Sequence, residues 1–178
     1  LRPGYAEAFY NRGNAFYALE KLNQALENYN QAISLKDGDY QSYYKKGLVL
    51  ENLEKLDEAL EAYDTAIDFK SDYDMAHYQK GSVLQKAGNN QEALESFDRA
   101  LELNPDNLLA YYKKAQALIS LQRFDEAAEC YDNILISKPD CYLISFQKAL
   151  VFEKLGNYDE ALECCNAVIA LRPDYFLA

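Results

Sequence analysis

The small and apolar residues of this chain keep a helical rhythm that restarts at a fixed interval. Between residues 40 and 73, Tyr43, Gly47 and Leu50 stand four and three apart and make one stripe of a first helix. Ala59, Tyr63 and Ala66 make the matching stripe of a second. The pattern returns every 34 residues. One column reads Gly13, Gly47, Gly81, Ala115 and Ala149, and another Ala25, Ala59, Ala93, Ala127 and Ala161. A third reads Tyr29, Tyr63, Phe97, Tyr131 and Cys165, and a fourth Ala32, Ala66, Ala100, Ile134 and Val168. No insertion breaks the register, so the chain divides into frames 6–39, 40–73, 74–107, 108–141 and 142–175.

The columns predict a helix–turn–helix in every frame. A Gly or Ala on the first helix facing an Ala on the second lets two backbones approach closely, and flanking aromatics fill the remaining space. A breaker closes each frame: Asp37-Gly38, Ser71-Asp72, Pro105, Pro139 or Pro173. The mid-frame turn carries Gly88 or Gly156 in two frames and Glu-Lys or Gln-Arg pairs in the others.

A large residue, a small one, then Tyr, Ala, an aromatic and Pro at fixed offsets in 34 residues resembles the tetratricopeptide repeat (TPR) family, over essentially the whole chain. The resemblance implies an all-α fold, a right-handed α-solenoid of tandem helix–turn–helix repeats. It would make 1–178 a single array, with 1–5 and 176–178 belonging to flanking repeats. It further implies that first helices line a concave groove, that second helices form the convex back, and that the partner is a protein or peptide. Departures are local: Arg12, Lys46, Lys80, Lys114 and Lys148 precede the small residue where the family has Leu, and Cys165 replaces an aromatic.

Charge refines this picture. With 18 basic and 29 acidic residues the chain has a net charge of −11, so no nucleic-acid partner is expected, because such binding needs a basic footprint. No apolar run is long enough for membrane insertion. The first fourteen positions of the five frames hold 9 basic and 4 acidic residues, whereas positions 15–31 hold 8 and 19. A relatively positive inner wall is expected against an acidic back.

The stripe beside the buried one is expected to face the groove. Its fifth-position residues are Tyr10, Tyr44, Tyr78, Tyr112 and Phe146, an aromatic ladder. The sixth are Asn11, Lys45, Gln79, Lys113 and Gln147, all hydrogen-bond donors, and the ninth are Asn14, Leu48, Ser82, Gln116 and Leu150. A peptide laid there could bury side chains against the rings and satisfy its carbonyls with the donors. The rings have a second reading, as packing between neighbouring repeats, and both stand open. Packing alone does not ask for the donors. The seventh-position Arg and Lys residues are expected to run their stems between consecutive first helices and reach solvent.

Chaperone-binding relatives use a carboxylate clamp of Lys and Asn four apart, an Asn on the next first helix, then Lys and Arg four apart. The matching positions hold Tyr10 and Asn14, Lys45, then Met75 and Gln79, so that ligand is not expected. Nor is a glycine-rich phosphate loop or a metal-spaced cluster legible, and no cofactor is expected. His77 falls at a helix-packing position, and Asp57-Glu58, Asp125-Glu126 and Asp159-Glu160 fall where second helices begin. Cys130, Cys141, Cys164 and Cys165 match no zinc spacing and read as reduced thiols, which points to the cytoplasm.

The expected function is therefore a non-enzymatic scaffold that binds a peptide or extended segment in its groove. The alternative is a regulatory or substrate-selecting arm of a larger enzyme whose catalytic domain lies outside this chain. With no polar capping helix legible, the last second helix is expected to expose Leu162, Val168 and Ile169. Uncapped terminal repeats are expected to self-associate.

Overall fold

In the computed structural model of the chain, residues 3–172 are described, and they form ten α-helices. The first helices are α1 (Pro3–Ala18), α3 (Tyr40–Asn52), α5 (Asp74–Lys86), α7 (Leu108–Ser120) and α9 (Tyr142–Leu155). The second helices are α2 (Leu22–Leu35), α4 (Leu56–Phe69), α6 (Asn90–Leu103), α8 (Phe124–Ser137) and α10 (Tyr158–Leu171). Every frame holds one of each. Helix α1 begins at Pro3, so Gly4 and Tyr5 extend the first helix, with proline at a position whose N–H would be orphaned anyway. Residues 1–2 and 173–178, on which part of the flanking-repeat expectation falls, lie outside the described residues, as does Pro173.

The mid-frame turns are built alike, whatever residue they carry. After α3, the Glu54 N–H donates to the Glu51 carbonyl (3.1 Å) and the Lys55 N–H to the Leu50 carbonyl (2.9 Å). These are the two bonds of a Schellman cap, which satisfy carbonyls that a helix end leaves unpaired. The cap requires a left-handed residue, and Glu20, Glu54 and Gln122 take φ of 58°, 60° and 58° there. Gly88 and Gly156 take it at 86° and 77°. Three frames therefore hold a side chain in a conformation that L-residues disfavour by about 1–2 kcal/mol.

The chain forms two compact units, dividing between Asn89 and Asn90. In the first unit, Val49 of α3 and Leu53 just past its end pack with Ala25, Tyr29 and Leu26 of α2, and Tyr10 and Tyr17 of α1. Ala76 of α5 and Val83 of the same helix pack with Tyr44, Ala59 and Tyr63. A Cβ built on Gly47 would lie 2.5 Å from the Tyr63 ring, and one on Gly13 2.7 Å from the Tyr29 ring. Glycine is what lets these rings, both fully buried, lie against the helix backbone. In the second unit Ala115 occupies the column and is itself fully buried, as is Tyr131.

Val168 corrects an expectation. It is 0 % exposed, while Leu162 and Ile169 on the same helix are exposed as expected. Val168 shares its column with Ala32, Ala66, Ala100 and Ile134, all buried, because that column faces the partner helix of its own frame.

Candidate functional site

The aromatic ladder lies deeper than a groove surface. Tyr44 is 4 % exposed: its ring sits 5.9 Å from that of Tyr63 and 5.1 Å from that of Tyr73, the latter edge-on. Burial raises its phenol pKa to about 12, and a hydrogen bond with Gln79 partly opposes that rise. Tyr10 leans on Tyr29 with centroids 6.0 Å apart, and Tyr112 on Tyr131 at 6.3 Å. Tyr10, Tyr78, Tyr112 and Phe146 are half-buried. Each ring thus has one side in the packing, and Tyr44 offers no surface to a ligand.

The donor ladder is the more accessible one. Asn11 is exposed, and Lys45, Gln79, Lys113 and Gln147 are half-buried. The Lys45 ammonium stands 6.0 Å over the Tyr44 ring, an arrangement in which ring and cation attract. At the ninth position the residues are used internally in the first unit. Asn14 accepts a 2.8 Å bond from the Tyr29 hydroxyl, and Leu48 packs into the core. Ser82 is buried, its hydroxyl without a hydrogen-bond partner. Gln116 is half-buried.

One stripe was missed by sequence reasoning. The second frame position carries Met75, Leu109 and Leu143, and these side chains are 47 %, 65 % and 51 % exposed. The signal was legible: position 2 lies four residues before the donors, hence on the same helix face. In frames 6–39 and 40–73 the position holds Glu7 and Gln41. The first unit accordingly has a polar cavity of about 370 Å³ there, lined by Glu7, Tyr10, Asn11, Lys36, Asp39 and Gln41.

The seventh-position cations do more than reach solvent. Lys80 pairs with Asp64 at 2.6 Å, Lys114 with Asp98 at 2.5 Å and Lys148 with Asp132 at 2.5 Å. Each pair joins a first helix to the second helix of the frame before, always sixteen residues back. Burial pulls the Lys114 pKa down, but the hydrogen bond and charge of Asp98 outweigh it and hold it above the ordinary value. At the equivalent place Lys46 faces Asn30 in sequence, and Arg12 instead donates to Asn28 within its own frame. Part of the positive charge counted on the first helices is therefore neutralised by the second. Lys86 and Glu51, both on first helices, form a further ion pair.

His77 is half-buried, and its Nε2 bonds the Ser71 carbonyl at 3.0 Å, tying α5 to the turn before it. Burial pushes the Cys130 thiol up to about 11, far from a reactive thiolate. Among the described residues no group of three metal-binding side chains gathers. No described helix is long and apolar enough to cross a membrane.

Comparison with known proteins gives a consistent result. The tetratricopeptide repeat pattern matches residues 78–132, 112–176 and 6–39, and a TPR repeat pattern matches 52–88. No curated protein sequence matches. Among solved structures, MamA superposes with a TM-score of 0.88 at 21 % identity, covering 98 % of this chain and 97 % of that one. A tetratricopeptide repeat protein from Parabacteroides merdae gives 0.86 at 22 % identity, covering 98 % of this chain and 69 % of that one. YrrB, described as a TPR protein with an unusual peptide-binding site, gives 0.82 at 25 % identity, covering 95 % and 87 %. These likenesses bear out an all-α solenoid of tandem helix–turn–helix repeats.

Proposed function

The chain belongs to the tetratricopeptide repeat family, and from that we propose that it is a protein-interaction scaffold whose first-helix faces bind an extended segment of a partner. The observation that carries this reading lies on α7 and α9. Leu109 and Leu143 are large, apolar and more than half exposed, and each stands four residues before a donor, Lys113 or Gln147. Core packing does not use those leucines, and an extended peptide needs both kinds of group. Alternate side chains of the peptide would rest on the leucines while its carbonyls accept from the donors. The peptide-binding site described for YrrB supports the same class of ligand here.

The test is a peptide selected by phage display against the full chain. Its affinity would be compared between the wild type and Leu109→Asp/Leu143→Asp, two substitutions at exposed positions that leave the core intact. At least a tenfold loss, about 1.4 kcal/mol, is expected. Unchanged affinity for every selected peptide would sink the reading. The chain is further proposed to self-associate through its terminal helix pairs, where Tyr5, Leu19, Tyr158 and Leu162 are exposed.

A further inference from the structure

Two successive junctions of the first unit use the same frame positions and come out differently. The last frame position holds Asp39 at one junction and Tyr73 at the next. Tyr73 meets the rings of Tyr40 at 5.2 Å and Tyr44 at 5.1 Å, both edge-on. The Lys70 ammonium lies over the Tyr40 and Tyr73 rings, 5.0 and 5.4 Å from their centroids. That junction is closed by aromatic packing. One frame earlier Ala6 stands in the place of Tyr40 and Asp39 in that of Tyr73, so two of the three rings are missing. Tyr10 keeps the place of Tyr44, and beside it lies the polar cavity of about 370 Å³. Its walls are α1, the turn between α2 and α3, and the start of α3.

The charge of the two junctions differs as well. Glu7, Asn11 and Gln41 line the cavity where the next junction has Gln41, Lys45 and Met75, a cation and no carboxylate. Asp39 is 4 % exposed. One of its oxygens accepts from the Lys36 ammonium at 3.0 Å and the other from the Ser42 hydroxyl. A carboxylate has about four lone-pair sites, so capacity remains on Asp39. The Lys36 side chain is 59 % exposed, so the counter-charge of this buried carboxylate stands largely in water. Among the described residues no group of three metal-binding side chains gathers, and a hard metal ion needs more oxygen ligands than two carboxylates supply. The charge that fits is an organic cation.

We propose that this cavity takes an arginine side chain of the partner segment. The guanidinium lies with its face on the Tyr10 ring, and its edge donates to the Glu7 and Asp39 carboxylates and to the amide oxygens of Asn11 and Gln41. The acceptors come from three elements around one ring. A flat, weakly hydrated fork with five donors serves them better than a compact ammonium with three. The cavity also falls within the range of about 300–1,000 Å³ usual for small-ligand pockets. This inference rests on the reading that first-helix faces bind an extended segment, and adds the chemistry of one side chain of that segment.

The test is a nuclear magnetic resonance titration of the full labelled chain with Gly-Arg-Gly blocked at both ends, so that the guanidinium is the peptide's one charge. Counterparts carry Lys or citrulline in place of Arg. The Arg peptide is expected to shift the side-chain amide signals of Asn11 and Gln41 at millimolar concentration. Citrulline, which keeps the shape and loses the charge, is expected to bind about tenfold more weakly. Glu7→Gln, at an exposed position, should weaken the Arg peptide several-fold. Asp39→Tyr, which restores the ring that Tyr73 supplies one frame later, should abolish its binding; circular dichroism checks that this variant folds, and the Glu7→Gln and citrulline comparisons do not depend on it. Equal binding of the Arg and citrulline peptides, or no shifts on α1 and α3, overturns the proposal. Lys binding as tightly as Arg overturns the assignment to a guanidinium. The tripeptide does not call on Leu109 or Leu143, so a silent cavity beside selected peptides that still need those leucines overturns this inference alone. Arg binding beside peptides indifferent to the leucines sinks the reading on α7 and α9 and leaves the cavity standing.

Discussion

Replacing Glu20, Glu54 and Gln122 together by glycine is expected to stabilise the chain without touching a packed contact. All three are exposed and sit at φ near +60° in Schellman caps. Relief of the left-handed conformation is worth about 1–2 kcal/mol per site. Glycine gives back about 0.5–1 kcal/mol through the greater freedom of the unfolded chain. The net gain is about 0.5–1 kcal/mol per turn, and the turns share no partners, so the triple variant should gain about 1.5–3 kcal/mol. Urea unfolding followed by circular dichroism reads this directly. With a slope of about 2 kcal/mol/M the midpoint should rise by about 0.7–1.5 M. The reciprocal substitution, Gly88→Ala, meets open space at φ +86° and should lower stability by about 0.5–1 kcal/mol through strain alone. A triple variant whose midpoint is unmoved or lowered would refute the assignment of strain to these turns.

Asn30→Asp should complete the ion-pair ladder by placing a carboxylate opposite Lys46; thermal unfolding should show a gain of up to about 1 kcal/mol that disappears in 1 M salt. Tyr44→Ala, in the core, should cost about 3–5 kcal/mol in denaturant titration, whereas Leu109→Ala, on an exposed face, should stay within about 0.5 kcal/mol. Burial raises the phenol pKa of Tyr29, Tyr63, Tyr73 and Tyr131, and that of Tyr44 to about 12. An unfolded phenol ionises near about 10, so the unfolded chain releases these protons first and stability is full below that pH. It falls as pH rises toward the folded values, and phenolate absorbance of these five rings should appear together with the loss of helix signal. Early ionisation in a still-folded chain would contradict their burial.

The fold was legible because each column has one physical reason to exist. A glycine recurring opposite a tyrosine, as Gly47 opposite Tyr63, can only be a close helix contact, and helix bounds follow from the breakers. Val168 misled because its burial belongs to packing within the frame, while Leu162 on the same helix belongs to packing between frames. The two faces of one helix have different fates at the end of an array. The candidate site was half legible. Of the donors at the sixth position Asn11 is exposed and the rest half-buried; of the two readings open for the aromatic ladder, Tyr44 takes the packing one, while Tyr10, Tyr78, Tyr112 and Phe146 stay half-buried. Met75, Leu109 and Leu143 escaped notice because an apolar residue at a single frame position looks like helix packing until its exposure is measured. The Lys–Asp rungs were written in the sequence at a constant separation of sixteen, but their meaning depends on which helices adjoin.

The central claim, that first-helix faces hold a partner segment, is tested most directly by nuclear magnetic resonance of the labelled chain titrated with a selected peptide. The account predicts amide shift changes on α7 and α9, around Leu109, Lys113, Leu143 and Gln147. Changes confined to α8 and α10 would contradict it.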